Sequence, residues 1–131
     1  MPWVLDDYDI PETSYELSKL GAQLVKKTAL KYSTPEKPIY VLGSIGPGTK
    51  LPSLGHIKYD DMYEGYKIMA QGLADGGVDI FLLETCQDPL QIKAALHALT
   101  DTAPHIPIMV SVTIELSGTM LIGTDAMTIA A

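Results

Sequence analysis

The run Val78-Asp79-Ile80-Phe81-Leu82-Leu83-Glu84 constrains this chain more than any other feature. It is almost continuously apolar and is preceded by Gly76-Gly77 and followed by Asp88-Pro89. A segment of this length with little polar alternation reads as a strand inside a parallel sheet, covered on both faces. Asp88 as cap, Pro89 at the first helical position and Gln91 at the capping-box position then announce a helix, with Ile92, Ala95, Leu96 and Leu99 on one face.

The same alternation extends in both directions. Upstream, Ile39 to Gly43 reads as another buried strand, followed by the small-residue loop Ser44-Ile45-Gly46-Pro47-Gly48-Thr49. A helix opened by Asp61 and Glu64 comes next, carrying Met62, Tyr66, Met69 and Leu73, and Gly76-Gly77 closes it. Before these, the first eight residues read as a loop. Asp9 is placed to cap a helix, with Pro11 in its first turn and Glu12 at the box spacing. That helix runs to about Lys31 with Tyr15, Leu17, Leu20, Leu24, Val25 and Thr28 on its apolar face. Downstream, Ile108 to Ile114 is a third strand. Glu115 to Thr124 is a polar, glycine-containing excursion, and a helix begins near Asp125.

Strand and helix in strict succession imply parallel neighbours joined by right-handed crossovers. The expected fold class is α/β: a partial (β/α)8 barrel of about three parallel strands with flanking helices. At 131 residues the chain suffices for one domain but falls short of the roughly 250 a closed eightfold barrel takes. It opens on a helix with no preceding strand and ends at the start of another, so residues 1–131 are expected to be an incomplete domain.

Composition excludes several functions. Charge is −7, from 9 basic against 16 acidic residues, and every basic residue is Lys. Such a surface repels phosphate backbones and lacks the bidentate guanine reader, which argues against nucleic acid. No apolar run approaches the roughly 18 residues of a membrane span. The acidic start, Met-Pro-Trp and then three Asp within six residues, has no signal-peptide character, so a cytoplasmic location is expected. A lone Cys86 allows no internal disulfide and no Cys-x-x-Cys metal site.

Ligands of parallel α/β folds bind at the C-terminal strand ends. Gly43 to Thr49, Glu84 to Cys86, Thr113 and Gly118 to Thr124 fall there. Glu84 ends an apolar strand, where an unpartnered carboxylate is costly. It suits an ammonium ligand or a general base; the alternative is that it accepts hydrogen bonds from loop amides. The Gly43 to Pro47 loop either lets a ligand approach the backbone or simply shapes the mouth, and it fits neither nucleotide-loop pattern. Cys86, with no His beside it, reads as a buried thiol rather than a nucleophile; His56, His97 and His105 are scattered. Tyr63, Tyr66, Met62 and Met69 read as packing.

Three ordered blocks carry a resemblance. They are Gly43 to Thr49, Asp79 to Thr85, and Pro107-Ile108-Met109-Val110-Ser111 with Gly118-Thr119 and Gly123-Thr124. Together they resemble the homocysteine-binding, N-terminal barrel of cobalamin-dependent methionine synthases, over nearly the whole chain. The resemblance implies an (α/β)8 barrel in which zinc, held by three cysteine thiolates, keeps homocysteine sulfur nucleophilic. Methylcobalamin on another module delivers the methyl group and methyltetrahydrofolate restores it. By the same resemblance Glu84 corresponds to a carboxylate near the homocysteine amino group. Gly43, Ser44, Gly46 and Thr113 are neighbours of that pocket.

The family's zinc cysteines match nothing between Met1 and Ala131, and Cys86 aligns with none of them. The first strand, with its acidic loop, is also absent. No catalytic or metal-ligating residue is therefore expected here, and no bound cofactor; zinc, cobalamin and homocysteine belong to the intact parent. Two further readings are an assembly piece that self-associates through exposed strand edges, and an independent small-molecule module.

Overall fold

The computed structural model describes residues 1–130. Helix α1 spans Pro2–Leu5, α2 Ser14–Tyr32, strand β1 Leu42–Ile45, α3 Tyr59–Asp75, β2 Ile80–Cys86, α4 Pro89–Thr102, β3 Ile108–Val112 and α5 Ala126–Ala130. The three strands lie in the order β1-β2-β3, all parallel, with Gly43 opposite Phe81 and Phe81 opposite Ile108. The sheet is open, and the expected three parallel strands with flanking helices are present.

One face of the sheet carries the core. Gly43 and Ile45 of β1 and Phe81 and Leu83 of β2 turn inward, towards Met62, Tyr66, Ala70 and Leu73 of α3 and Ile92, Ala95 and Leu99 of α4. The opposite face is not covered. Leu42, Ser44, Glu84 and Met109 are exposed and Leu82 is half-buried. The continuously apolar β2 sequence therefore has one wet face, contrary to its reading as a strand buried on both sides. Nothing among the described residues packs over it.

The N-terminus departs most from expectation. Residues 2–8 form α1 and a 3-10 turn rather than a loop. Trp3 is buried there, edge-on to Tyr66 with centroids 5.1 Å apart. Asp9 does not cap α2: it takes a left-handed φ of 57° to end the 3-10 turn. A second 3-10 turn, Pro11–Thr13, leads into α2 at Ser14. The presumed apolar face of α2 also points the other way. Leu17, Leu20, Leu24 and Val25 are exposed, while Ser14 and Ala22 are buried. The reason lies in α3: a Cβ on Gly72 would strike the Tyr15 carbonyl, and one on Gly76 the Ala22 methyl. The helices approach through backbone and small side chains, which turns the leucines outward.

Strand limits shift for identifiable reasons. β1 starts at Leu42 rather than Ile39, because Asp79 first anchors the preceding residue. The Val41 amide donates to Asp79 Oδ2 at 2.7 Å, and Lys26 Nζ reaches Asp79 Oδ1 at 2.6 Å. β3 ends at Val112, two residues short of Ile114, and α3 starts two residues before Asp61. The Asp88 cap of α4 is as read, its side chain accepting from the Leu90 amide at 2.8 Å; α5 begins beside Asp125 as expected, and Asp125 accepts from the Thr128 amide at 2.9 Å. Gln91 makes no capping box. It is fully buried and donates to the Pro47 carbonyl at 2.6 Å.

Candidate functional site

The C-terminal ends of β1, β2 and β3 gather polar groups at the edge of the uncovered face. Ser44 Oγ donates to Glu84 Oε2 at 2.7 Å, joining the ends of β1 and β2. Glu84 is exposed, so the desolvation expected of it is absent. Among the described residues the ion pairs are Lys26 with Asp79 and Lys67 with Glu64. Glu84 thus has a hydroxyl donor and no cation, leaving its charge available to one.

Sequence reasoning missed what happens one residue further on. Leu83 pairs with Val110 and Cys86 with Val112, leaving Glu84 and Thr85 opposite Ser111 alone. This is a β-bulge, rare between parallel strands. Thr85 closes it at φ 62°, a left-handed conformation that β-branched residues avoid. β3 holds the bulge at several points. The Thr85 amide donates to Ser111 Oγ at 3.3 Å, the Thr113 amide to the Cys86 carbonyl at 2.9 Å, and Thr113 Oγ1 to the Thr85 carbonyl at 3.5 Å. The available signal was the Glu84-Thr85 pair, two polar residues breaking an apolar run directly before Cys86.

The glycine loop is clamped from behind. Gln91 holds the Pro47 carbonyl, and Asp88, fully buried, accepts from the Ser53 amide at 2.9 Å and Ser53 Oγ at 2.7 Å. The start of α4 therefore secures the β1-to-α3 loop with two buried polar side chains, a role that capping alone did not reveal. Gly46 has open space where a side chain would be. Gly43 differs: a Cβ there would sit 3.1 to 3.3 Å from Val78 and Leu73, on the helix side of the sheet. Ser44, Gly46, Glu84 and Thr113 are near the strand ends, while Gly43 meets the core.

Cys86 is buried, and burial pushes its thiol up to about 11, the profile of an inert core cysteine. Burial chiefly, with the neighbouring charges of Cys86 and Asp88, also raises the Tyr66 hydroxyl. His56 Nδ1 accepts from the Leu51 amide at 3.3 Å, and His97 Nδ1 lies 2.8 Å from the Tyr59 hydroxyl. Among the described residues no group of three or more His, Cys, Asp or Glu could hold a metal ion. Nor is any helix among them long and apolar enough to cross a membrane.

The architecture is α/β, a parallel sheet flanked by helices, with a carboxylate and hydroxyls at its C-terminal strand ends, the position of the candidate site. The chain belongs to the homocysteine S-methyltransferase family, whose model matches residues 1–131. It is 47% identical over 125 residues to the methionine synthase of Mycobacterium leprae (strain TN), and 46% identical over 125 residues to that of Mycobacterium tuberculosis (strain ATCC 25618 / H37Rv). Each match covers 92% of this chain and 10% of the relative, so the chain spans about a tenth of their length.

Proposed function

We propose that this chain forms the amino-acid-binding wall of a homocysteine S-methyltransferase barrel, and that methyl transfer is a property of a longer protein. The observation that carries the reading is the Ser44–Glu84 pair, an uncompensated carboxylate at the strand mouth of a chain belonging to this family. Glu84 takes the ammonium of homocysteine, Ser44 orients the carboxylate, and Gly46 and Thr113 border the amino-acid end. Gly43 acts at one remove, its lack of a side chain letting β1 lie against Val78 and Leu73.

Zinc, which the family resemblance implies, does not fit the donors in this chain. Cys86 points into the core with a raised pKa, and no second thiol exists. Zinc ligation and the cobalamin-dependent step therefore belong to the rest of the longer protein, as do the remaining strands that would close a barrel. The location proposed is cytoplasmic. What this chain's residues do is bind and orient the amino-acid end of the substrate.

The test is a titration of the purified chain with homocysteine, followed by backbone NMR, beside elemental analysis for zinc. Shifts at Ser44, Gly46, Glu84 and Thr113, weak and equally produced by homoserine, are expected, with no methyl transfer and no stoichiometric zinc. Absence of shifts at the strand mouth, or stoichiometric zinc, would overturn the reading. The exposed apolar side chains of α2 and of β3 (Leu20, Leu24, Met109 and Val110) favour a second reading, an assembly piece that self-associates through its open edges. A compact monomer by light scattering would count against it.

A further inference from the structure

We infer that Thr85 is a further ligand-contacting residue of this site, placed there beside Glu84 by the bulge at a cost to stability. The inference rests on the proposed homocysteine reading and adds a residue to it. Phe81 and Leu83 are buried, Glu84 and Thr85 are both exposed, and Cys86 is buried again. Strict alternation would bury Thr85 and expose Cys86. The bulge inserts one residue into the exposed row beside Glu84 and restores the register behind it.

That residue is unfavourable for its backbone. Asp9, the other non-glycine residue with positive φ among the described residues, is of a type that tolerates the left-handed region, whereas threonine is not. Glycine would hold the same turn without strain. The backbone of Thr85 is committed, its amide to Ser111 Oγ and its carbonyl to Thr113. Its side chain is exposed, and among the described residues its hydroxyl makes no hydrogen bond. Strained residues that their surroundings over-determine cluster at active sites and ligand clamps. The available chemistry is a neutral hydroxyl next to a carboxylate, suited to accept from the same ammonium or to donate to the ligand carboxylate.

Three Thr85 variants and one Glu84 variant of the chain, titrated with homocysteine by NMR and melted by circular dichroism, decide the matter. Thr85→Gly should melt about 3 °C higher than the wild type and bind about tenfold more weakly. Thr85→Val, which keeps the branched shape and the strain, should bind about tenfold more weakly, and Thr85→Ser should bind as the wild type does. Unchanged affinity in both Thr85→Gly and Thr85→Val overturns the inference while leaving the homocysteine reading intact. So does a Thr85→Gly melting point at or below wild type, or a Thr85→Ser that binds no better than Thr85→Val. A wild-type chain that does not bind homocysteine overturns both, and the Glu84→Gln variant separates the two failures: lost binding there with retained binding in Thr85→Val sinks only the role of Thr85.

Discussion

The Gln91 side-chain amide donates to the Pro47 carbonyl at 2.6 Å, across 44 residues of sequence. Gln91 is fully buried, and its own carbonyl oxygen has no protein partner among the described residues. That one bond ties the start of α4 to the glycine loop. Gln91→Ala should destabilise the chain by about 2 kcal/mol, since a lost buried hydrogen bond also leaves the Pro47 carbonyl unpaired. Urea denaturation measures that figure, and faster hydrogen exchange at the Gly46 and Gly48 amides should accompany it. A variant as stable as wild type, with unchanged exchange, refutes the clamp.

Helix α2 meets α3 where Gly72 faces the Tyr15 carbonyl and Ser18. The obstructing atom is backbone, which cannot rotate aside. Gly72→Ala should therefore cost about 2 kcal/mol despite alanine's better helix propensity. Gly21→Ala has nothing within 4 Å of the added methyl and should stabilise by several tenths of a kcal/mol. Thermal melts of the two variants in parallel check the sign of each, and equal effects would show that the α2–α3 approach is not close.

Asp79 ties Lys26 of α2 to the start of β1. Partial burial works to raise its pKa, but the Lys26 hydrogen bond, the Val41 amide and the Lys26 charge together outweigh burial and hold it below the ordinary 3.8. A carboxylate depressed in the fold contributes stability that is present above its unfolded pKa and is lost as pH falls through the folded one. Stability should therefore decline below about pH 4, and Asp79→Asn should flatten that part of the profile. Denaturation midpoints from pH 6 down to pH 2.5 measure it. An unchanged acid slope in the variant would dismiss the linkage.

Cys86 gives the opposite sign. Its thiol, ordinarily at 9.0, is pushed up to about 11 by burial, so the folded state keeps its proton while the unfolded state loses it. The contribution is complete below pH 9 and disappears as pH rises towards 11. At pH 8 the native thiol should react with a disulfide reagent at least tenfold more slowly than the urea-unfolded chain. Equal rates would mean that the bulge does not turn Cys86 into the core.

Much of the architecture was legible because local signals agreed. Gly76-Gly77, Asp88-Pro89 and Asp125 marked helix ends that the structure keeps to within a residue or two, and the apolar runs marked three strands. Glu84 stood out as a carboxylate closing an apolar strand. The bulge that joins Thr85 to Ser111 and the clamp that Gln91 makes were not legible, since a bulge depends on pairing with β3 and a clamp on a loop 44 residues away. Asp9 and the leucines of α2 misled for the same reason: capping and periodicity describe an isolated helix, whereas α2 is oriented by Gly72 of α3 and Gly76 at its C-terminal end.

By itself, the sequence determined the order of strands and helices, because residue spacing, proline and glycine act over a few neighbouring positions. It also determined which strand ends carry polar groups. Only the tertiary structure decided which face of the sheet is covered, which side of α2 meets α3, and that Glu84 is exposed and bridged to Ser44. Those outcomes depend on atoms distant in sequence meeting at a few ångströms, where a single Cβ or a one-residue bulge changes what can touch.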